Sequence, residues 1–297
     1  MALTVTSLGR SITCMLLVAS TVGHATGESP STFPQVLTQQ WCNHPIWHDG
    51  KAEFCLYDST RRIYGAECHY QAKLYTNKEV ADPQTKTKSA TASGREVFKH
   101  HLVEVVPTAN YEYKFSTMCY VGTEDMKSLK IDMGSQDDCG ASFKQFINHA
   151  GTVTWHSHVY FPGAGHENGT YESPSNFVYQ DALSLVLRGY PFEAPLPPVE
   201  VNLLPDQTSA RKTPPTPTRA RIFYVKPEAL TVPAGHIDTH HLRVTTDPHA
   251  GHPVVQHDYW FAASGDMDRL HVMVQHVGPQ GQRHVLREQR RWAYWKR

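Results

Sequence analysis

Residues 97–106 read VFKHHLVEVV and residues 111–122 read YEYKFSTMCYVG, two runs rich in β-branched and aromatic residues. Such runs are typical of strands, because branched and aromatic side chains pack well on a pleated surface. Turn-rich segments, such as 81–94 and 162–174, separate further runs of the same kind. These runs lie at 52–57, 62–75, 128–133, 152–161, 220–225, 237–245, 254–262, 270–277, 284–288 and 291–295. The pattern predicts a mainly β chain with an antiparallel sheet.

One segment has a helical period instead. Residues 175–188 begin with a capping serine, carry an apolar stripe and are followed by Gly189. The stripe consists of Phe177, Leu183, Leu187 and Tyr190. The segment is therefore predicted to be the principal helix of the protein.

A proline-rich stretch follows this helix. Eight prolines fall within the 27 residues from Pro191 to Pro217. Because proline removes a backbone donor, this density predicts a long exposed loop at about 191–219 rather than sheet interior or helix. We expect residues 41–297 to form one β-rich domain that contains this loop.

The N-terminus has the features of an export signal. Arg10 precedes an apolar stretch at 12–22, and Gly23-His24-Ala25 offers small residues at a cleavage site. We expect residues 1–25 to be removed and residues 26–40 to be a flexible lead-in; the alternative is a buried first helix. No later stretch is long and apolar enough for a membrane helix. The sequence predicts a periplasmic or secreted protein without a transmembrane segment in the mature chain.

Charge and cysteine content narrow the possible partners. Lys plus Arg equals Asp plus Glu at 28 each, so no overall field attracts nucleic acid or an anionic membrane. The cysteines are too widely spaced for a zinc ribbon or a thioredoxin-type site. In an oxidising compartment they would form two disulfides and leave one thiol, with Cys119 to Cys139 preferred. The five candidates are Cys42, Cys55, Cys68, Cys119 and Cys139.

From residue 179 to the C-terminus, the order of features resembles the bacterial envelope family of unknown function numbered 3108. The matching pieces are 181–188 with Pro191-Phe192, Thr231-Val-Pro-Ala-Gly235, Asp238-Thr239, Asp258-Tyr-Trp-Phe-Ala262 and 270–278. The resemblance implies an exported protein with a strongly curved antiparallel sheet, a half-barrel or open barrel, that holds a helix against its concave face. It brings no established chemistry. Trp260 would pack into the core of such a sheet, with its indole N–H needing a partner.

Three residues of the predicted helix share one face, namely Asp181, Ser184 and Arg188. Together with Trp260 they are candidates for a ligand-binding mouth, in which Arg188 would grip an anionic group. The alternative is a structural network that pins the helix to neighbouring strands, and for Arg188 we expect this scaffold role.

Histidine is abundant, with 19 copies, and His156 and His158 alternate on one predicted strand. Both therefore point to the same face and are candidates for a metal site, with exposed strand residues as the alternative. The C-terminal segment 283–297 is basic and aromatic. Such a segment is compatible with nucleic acid or anionic glycans, but in an exported protein we expect a solvated edge strand that blocks aggregation.

Several sequence signatures of catalysis are missing, including a nucleophile elbow, a P-loop, a dinucleotide fingerprint and a compact metal motif. The sequence therefore favours a non-catalytic envelope protein that binds an apolar or amphipathic ligand or an envelope component, or that serves a structural role. No cofactor and no nucleic acid partner are predicted. The alternative is a metal-dependent or other hydrolase that uses histidines.

Overall fold

The computed structural model describes residues 33, 34, 36, 37, 40–247, 254–263 and 270–296. The predicted signal peptide at 1–25 lies outside these residues. Within the predicted lead-in, Phe33 and Leu37 are buried in the hydrophobic core. All the described residues belong to one compact unit.

The prediction of a mainly β chain is confirmed, because fifteen strands form a single sheet. The strands are β1 Ala52–Ile63, β2 Ala66–Ala81, β3 Arg95–Pro107, β4 Glu112–Gly122, β5 Ser128–Gln136, β6 Ala141–His149, β7 Thr152–Val159, β8 His166–Glu172, β9 Phe177–Tyr179, β10 Val199–Leu204, β11 Thr218–Val232, β12 Gly235–Thr246, β13 Gln256–Ala262, β14 Met273–Val277 and β15 Arg283–Trp292. Strand β6 was not predicted, and β8 lies in a segment predicted to be turn-rich.

The sheet consists of two meanders joined at their first and last strands. Strands β1 to β8 follow one another to one side, β15 back to β9 follow one another to the other, and β1 pairs with β15. Neighbouring strands are antiparallel, except that β9 pairs with β10 in parallel. The edges of the sheet are β8 and β9. The prediction of a C-terminal edge strand is therefore wrong, since β15 lies between β1 and β14.

Strand β3 shows how the two faces of the sheet differ. Its residues Phe98, His100, Leu102, Glu104 and Val106 share the inner face, which we define as the face that contacts residues 180–189. Phe98 and Val106 are fully buried. The outer face carries the residues of opposite phase. Both phases of the strand contain three apolar residues in five, so the contact with the helical segment, rather than apolar alternation, identifies the inner face.

The predicted helix is shorter than its sequence pattern indicates. Residues Phe177–Tyr179 are strand β9, and helical structure begins only at Gln180. A 3-10 turn at Gln180–Ala182 leads into helix α1, Leu183–Val186, and a second 3-10 turn at Leu187–Gly189 ends it. Aromatic and branched side chains at 177–179 favour pairing with β10 over a helical turn. The helical segment is buried on all sides rather than amphipathic, because its apolar side chains are inaccessible to solvent.

The prediction of a long exposed loop at 191–219 also requires correction. Strand β10 runs between Pro198 and Pro205 and contains no proline, so it keeps every amide donor that the ladder requires. After it, Gln207 and Thr208 are buried. The prolines therefore mark the ends of a strand within the sheet.

The five described cysteines are free thiols, so the predicted disulfides are absent among them. Cys119 is buried on β4, whereas Cys139 is exposed in the turn after β5. Lys114 of β4 pairs with Gln136 of β5, so Cys139, which follows Gln136 in the chain, lies beyond the end of β4 that contains Lys114. Along β4, Cys119 is roughly 17 Å from Lys114, which is far more than the ~7 Å between Cα atoms that a disulfide can bridge.

No helix among the described residues is long and apolar enough to cross a membrane.

Leu183 tests how strongly the helical segment is held. It is fully buried, so Leu183→Ala should lower the free energy of unfolding by about 2–5 kcal/mol through lost burial and a residual cavity. The matched control is Val254→Ala at an exposed position, which should change stability by less than about 0.5 kcal/mol. Urea denaturation followed by tryptophan fluorescence measures both, and equal losses would contradict a packed helical segment.

Candidate functional site

A polar cavity of about 60 Å³ lies between the helical segment and the inner face of the sheet. Two of its lining residues, Asp181 and Ser184, are predicted site residues, whereas Arg188 and Trp260 do not line it. Bulk water occupies about 30 Å³ per molecule, so the cavity has room for about two waters. Its polar lining consists of Tyr57, His100, Glu104, Gln180, Asp181, Ser184, Asp206, Thr208, Tyr259, His276, Gln282 and His284.

Ser184 and His100 are joined by a hydrogen bond. The Ser184 Oγ lies 2.8 Å from the His100 Nε2, and the Thr76 Oγ1 lies 2.8 Å from the His100 Nδ1. A hydroxyl, a base and a group that orients the base form the arrangement that activates a nucleophile. Burial, together with the positive charge of Arg188, lowers the pKa of His100 to about 3. His100 is therefore neutral and a weak base.

Asp181 and Asp206 form a carboxyl pair beside the same cavity. Burial raises the pKa of Asp181 well above its usual value, and the charge of Asp206 and a hydrogen bond to it raise the pKa further. Asp181 Oδ2 accepts a hydrogen bond from the Gln207 amide at 3.1 Å, and Oδ1 accepts one from the Thr208 hydroxyl at 2.8 Å. Asp181 is thus protonated more readily than a carboxyl in water, because burial and a neighbouring carboxylate both disfavour its charged form.

Glu104 is a carboxylate of the inner face that pairs with an arginine of β1. It is buried and accepts hydrogen bonds from the Tyr70 hydroxyl and, at 3.1 Å, from Arg61 Nη1. Arg61 Nη2 also donates to the Thr208 carbonyl at 2.9 Å. This ion pair therefore ties the segment after β10 to the sheet, next to the carboxyl pair.

A row of hydrogen-bonded and stacked histidines crosses the inner face. The Ser59 hydroxyl lies 2.8 Å from His284 Nδ1, and the rings of His284 and His276 stack with centroids 5.7 Å apart. His276 Nε2 lies 3.1 Å from His257 Nδ1, and the Gln180 amide lies 2.9 Å from His257 Nε2. The row runs from β1 through β15, β14 and β13 to the helical segment.

The histidines of this row are neutral. Burial lowers the pKa of His257 to about 4 and that of His276 well below its usual value. Burial also lowers the pKa of His284. Each neutral ring has one donor and one acceptor nitrogen. The lining can therefore hold water or a small polar molecule through both kinds of hydrogen bond.

Arg188 pairs with a strand of the sheet, which is one of the partners that a scaffold role would give it. Its guanidinium is 2% exposed and binds the Glu53 carboxylate of β1 in a bidentate pair, at 2.8 and 3.0 Å. Arg188 Nε donates to the Leu270 carbonyl, and Trp41 and Trp47 lie against the guanidinium, with ring centroids 5.1 and 5.4 Å away. All of its contacts are thus internal to the fold.

Trp260 lies on the outer face, contrary to the expectation that it packs into the core. Its neighbours on β13, Tyr259 and Phe261, are buried, and alternation directs Trp260 the other way. The indole N–H has the partner it needs, since it donates to Glu228 Oε1 at 2.7 Å. His241 stacks on the ring at 4.2 Å. Trp260 is therefore remote from the cavity residues with which it was grouped.

His156 and His158 share one exposed face of β7, as their alternation predicts. The ring of His158 stacks on His166 of β8 with centroids 4.1 Å apart. Across the part of the chain that the structure describes, no three His, Cys, Asp or Glu side chains are grouped so that they could hold a metal ion.

Most of the cavity lining was missed from the sequence, although one signal was present. In VFKHHLVEVV, His100 and Glu104 have the same period-2 phase as Phe98, Leu102 and Val106. An ionisable residue in the apolar phase of a strand must find a buried partner. That rule identifies polar groups of the interior, although it does not identify their partners.

Among protein-family models, curated proteins and solved structures, none matches this chain.

The ion pair of Arg188 leads to a stability test. Arg188→Met leaves the Glu53 carboxylate buried without its partner and should lower the free energy of unfolding by about 3–5 kcal/mol. Replacing Glu53 by Met as well should recover part of this loss, because no uncompensated charge remains. The matched control is Arg287→Met, which removes an exposed pair with Asp58 and should have a much smaller effect. Urea denaturation at neutral pH measures the variants, and similar losses for Arg188→Met and Arg287→Met would refute the scaffold role.

His100 and Asp181 should give opposite pH dependence of stability. Between about pH 4.5 and 6, unfolded His100 binds a proton that the folded ring does not, so its contribution makes stability rise with pH. Folded Asp181 keeps a proton that the unfolded chain releases, so its contribution makes stability fall with pH.

His100→Gln should therefore flatten the dependence of the unfolding free energy on pH by about 1.4 kcal/mol per pH unit, and Asp181→Asn should steepen it. Denaturation curves at several pH values measure the slopes. Val254→Ala, at an exposed position without an ionisable group, is the control and should leave the slope unchanged. A slope that changes in the same direction in both variants would contradict these protonation states.

Proposed function

We propose that the protein is exported and acts in the cell envelope in a non-catalytic role, as a binding or structural protein. The observation that carries this proposal is the filled interior. The chain's own side chains occupy the space between helical segment and sheet, and a cavity of only about 60 Å³ remains. The signal-like N-terminus and the resemblance of residues 179–297 to the envelope family numbered 3108 support the location.

The proposal includes a sheet that curves around the helical segment as a half-barrel or open barrel. Two contacts support it. Tyr179, on edge strand β9, donates from its hydroxyl to the Phe146 carbonyl of β6 at 3.5 Å. Ser184, just after β9 in the chain, reaches His100 of β3. Residues next to one edge thus approach strands of the other meander.

The nature of the interior bears on the ligand. An apolar or amphipathic molecule would need apolar space on the inner face, and Leu183, Leu185 and Leu187 already fill that space. Most residues that line the remaining cavity carry a hydrogen-bonding group, although the surface they present to it is more apolar than polar. We therefore assign to the cavity at most a small ligand, and to the protein surface any larger one.

A hydrolase is the second candidate function, and the hydrogen bond between Ser184 and His100 favours it. Both residues line the cavity, as a nucleophile and its base would. Two features weigh against it. The low pKa of His100 makes proton transfer from serine unfavourable, and its orienting partner is the hydroxyl of Thr76 rather than a carboxylate.

The location is tested by expressing the full chain in a Gram-negative host and measuring the intact mass of the protein in the periplasmic extract. We expect a mature chain that starts at or near Thr26, because Ala25 ends the cleavage site. An intact N-terminal methionine on the envelope-associated protein would refute export through a cleaved signal.

The non-catalytic role is tested with a fluorophosphonate probe, which labels activated serines covalently. We expect no labelling above that of Ser184→Ala, because a His100 whose pKa is about 3 is too weak a base to activate the hydroxyl. Ser142→Ala, which removes a serine outside the cavity, is the matched control. Labelling of the native chain that disappears in both Ser184→Ala and His100→Gln, but persists in the control, would establish the hydrolase instead.

A further inference from the structure

A groove of about 440 Å³ lies on the surface where the residues after β15 meet β2 and β3. Ligand sites typically occupy 300–1,000 Å³, so the groove has the size of a binding site, unlike the internal cavity. Two of its lining residues, Trp47 and Lys78, also pack against Phe98 of the inner face. Its lining includes Lys51, Lys78, Lys88, Lys99, Tyr294 and Trp295.

The aromatic wall of the groove is both exposed and held in place. Trp295 is 49% exposed, yet its ring lies edge-on to Tyr294 with centroids 5.0 Å apart. Tyr294 packs in turn against Tyr75 of β2 at 4.8 Å. Trp292, 40% exposed, lies 6.0 Å from Tyr294. A rigid ring that is left half in water offers a flat apolar surface at little entropic cost on binding.

The charge of the groove is positive. Four lysines line it and one glutamate, Glu79, does so. Two lysines are in ion pairs, Lys78 with Glu96 at 2.8 Å and Lys99 with Glu79 at 4.0 Å. When Glu96 is counted as well, the groove has four ammonium groups and two carboxylates. The remaining excess favours an anionic ligand.

We propose that this groove binds an anionic oligosaccharide, whose sugar rings carry carboxylate, sulfate or phosphate groups. The C–H face of a sugar ring packs on Trp295 and Tyr294, and the anionic groups reach Lys51 and Lys88, which are exposed. The choice of a glycan over a nucleic acid rests on the proposed location in the envelope.

The groove also explains why the C-terminal segment is basic and aromatic. Protection of a sheet edge does not explain it, since β15 is not an edge strand. Because β15 lies within the sheet, its outer-face residues continue the aromatic surface toward β1. Arg290 covers both Phe54 and Trp292, with centroids 5.0 and 4.7 Å from its guanidinium. The cation thus extends the positive, aromatic surface beyond the groove itself.

The test titrates the purified mature chain with a tetramer of galacturonic acid and follows binding by isothermal calorimetry. We expect saturable binding that weakens as salt rises, since exposed ion pairs are screened. Trp295→Ala should weaken binding at least tenfold, and so should Lys51→Glu combined with Lys88→Glu. The matched controls are Tyr160→Ala and Lys114→Ala, both at exposed positions outside the groove, which should bind like the native chain.

A sulfated tetrasaccharide, maltotetraose and an oligothymidylate of eight nucleotides complete the experiment. We expect the sulfated sugar to bind and the neutral maltotetraose to bind at least tenfold more weakly. Absence of binding by both acidic sugars, equal binding in Trp295→Ala, or tighter binding of the oligothymidylate would overturn the proposal. Binding to purified protein does not depend on export, so a failed titration is distinguishable from a chain that keeps its N-terminal methionine.

Discussion

The buried pair between Arg188 and Glu53 is the interaction on which the arrangement of the interior depends. It joins residues 135 positions apart, one in the helical segment and one on β1 next to the strand pairing that unites the two meanders. A guanidinium that is shielded from water requires a hydrogen-bonding partner of matching geometry. The Glu53 carboxylate is such a partner, because it binds the guanidinium through both oxygens. Because the pair sets the position of the helical segment, it also sets where Ser184 and Asp181 meet the sheet.

The polar character of the inner face follows from that position. His100, Glu104, His276 and His284 would each be costly to bury alone. Each has a partner, whether a hydroxyl, a cation or another ring. Such a network favours a single arrangement of the chain, since any shift leaves several polar groups without partners at once. The cavity is thus better understood as the centre of a polar core than as an open binding pocket.

The interior and the surface of this protein therefore have different roles. In the interior, ionisable groups are held by internal partners: histidines whose pKa values are lowered, Asp181, whose pKa is raised, and a fully paired arginine. On the surface, Trp295 and the lysines around it remain accessible to a partner. A protein built in this way is suited to present a stable surface, which is why we place ligand recognition outside.

The sequence by itself determined those structural features that depend only on residues close together in the chain. Runs of β-branched and aromatic residues revealed most of the strands, and alternation revealed the shared face of His156 and His158, because strand geometry is local. Only the tertiary structure decided the length of the helical segment, the central place of β15 and the partner of Arg188. These features depend on which distant strands lie side by side. Residues 177–179 became a strand because β10 was available to pair with them, and Trp260 faced outward because the pleat of β13 placed Tyr259 inside.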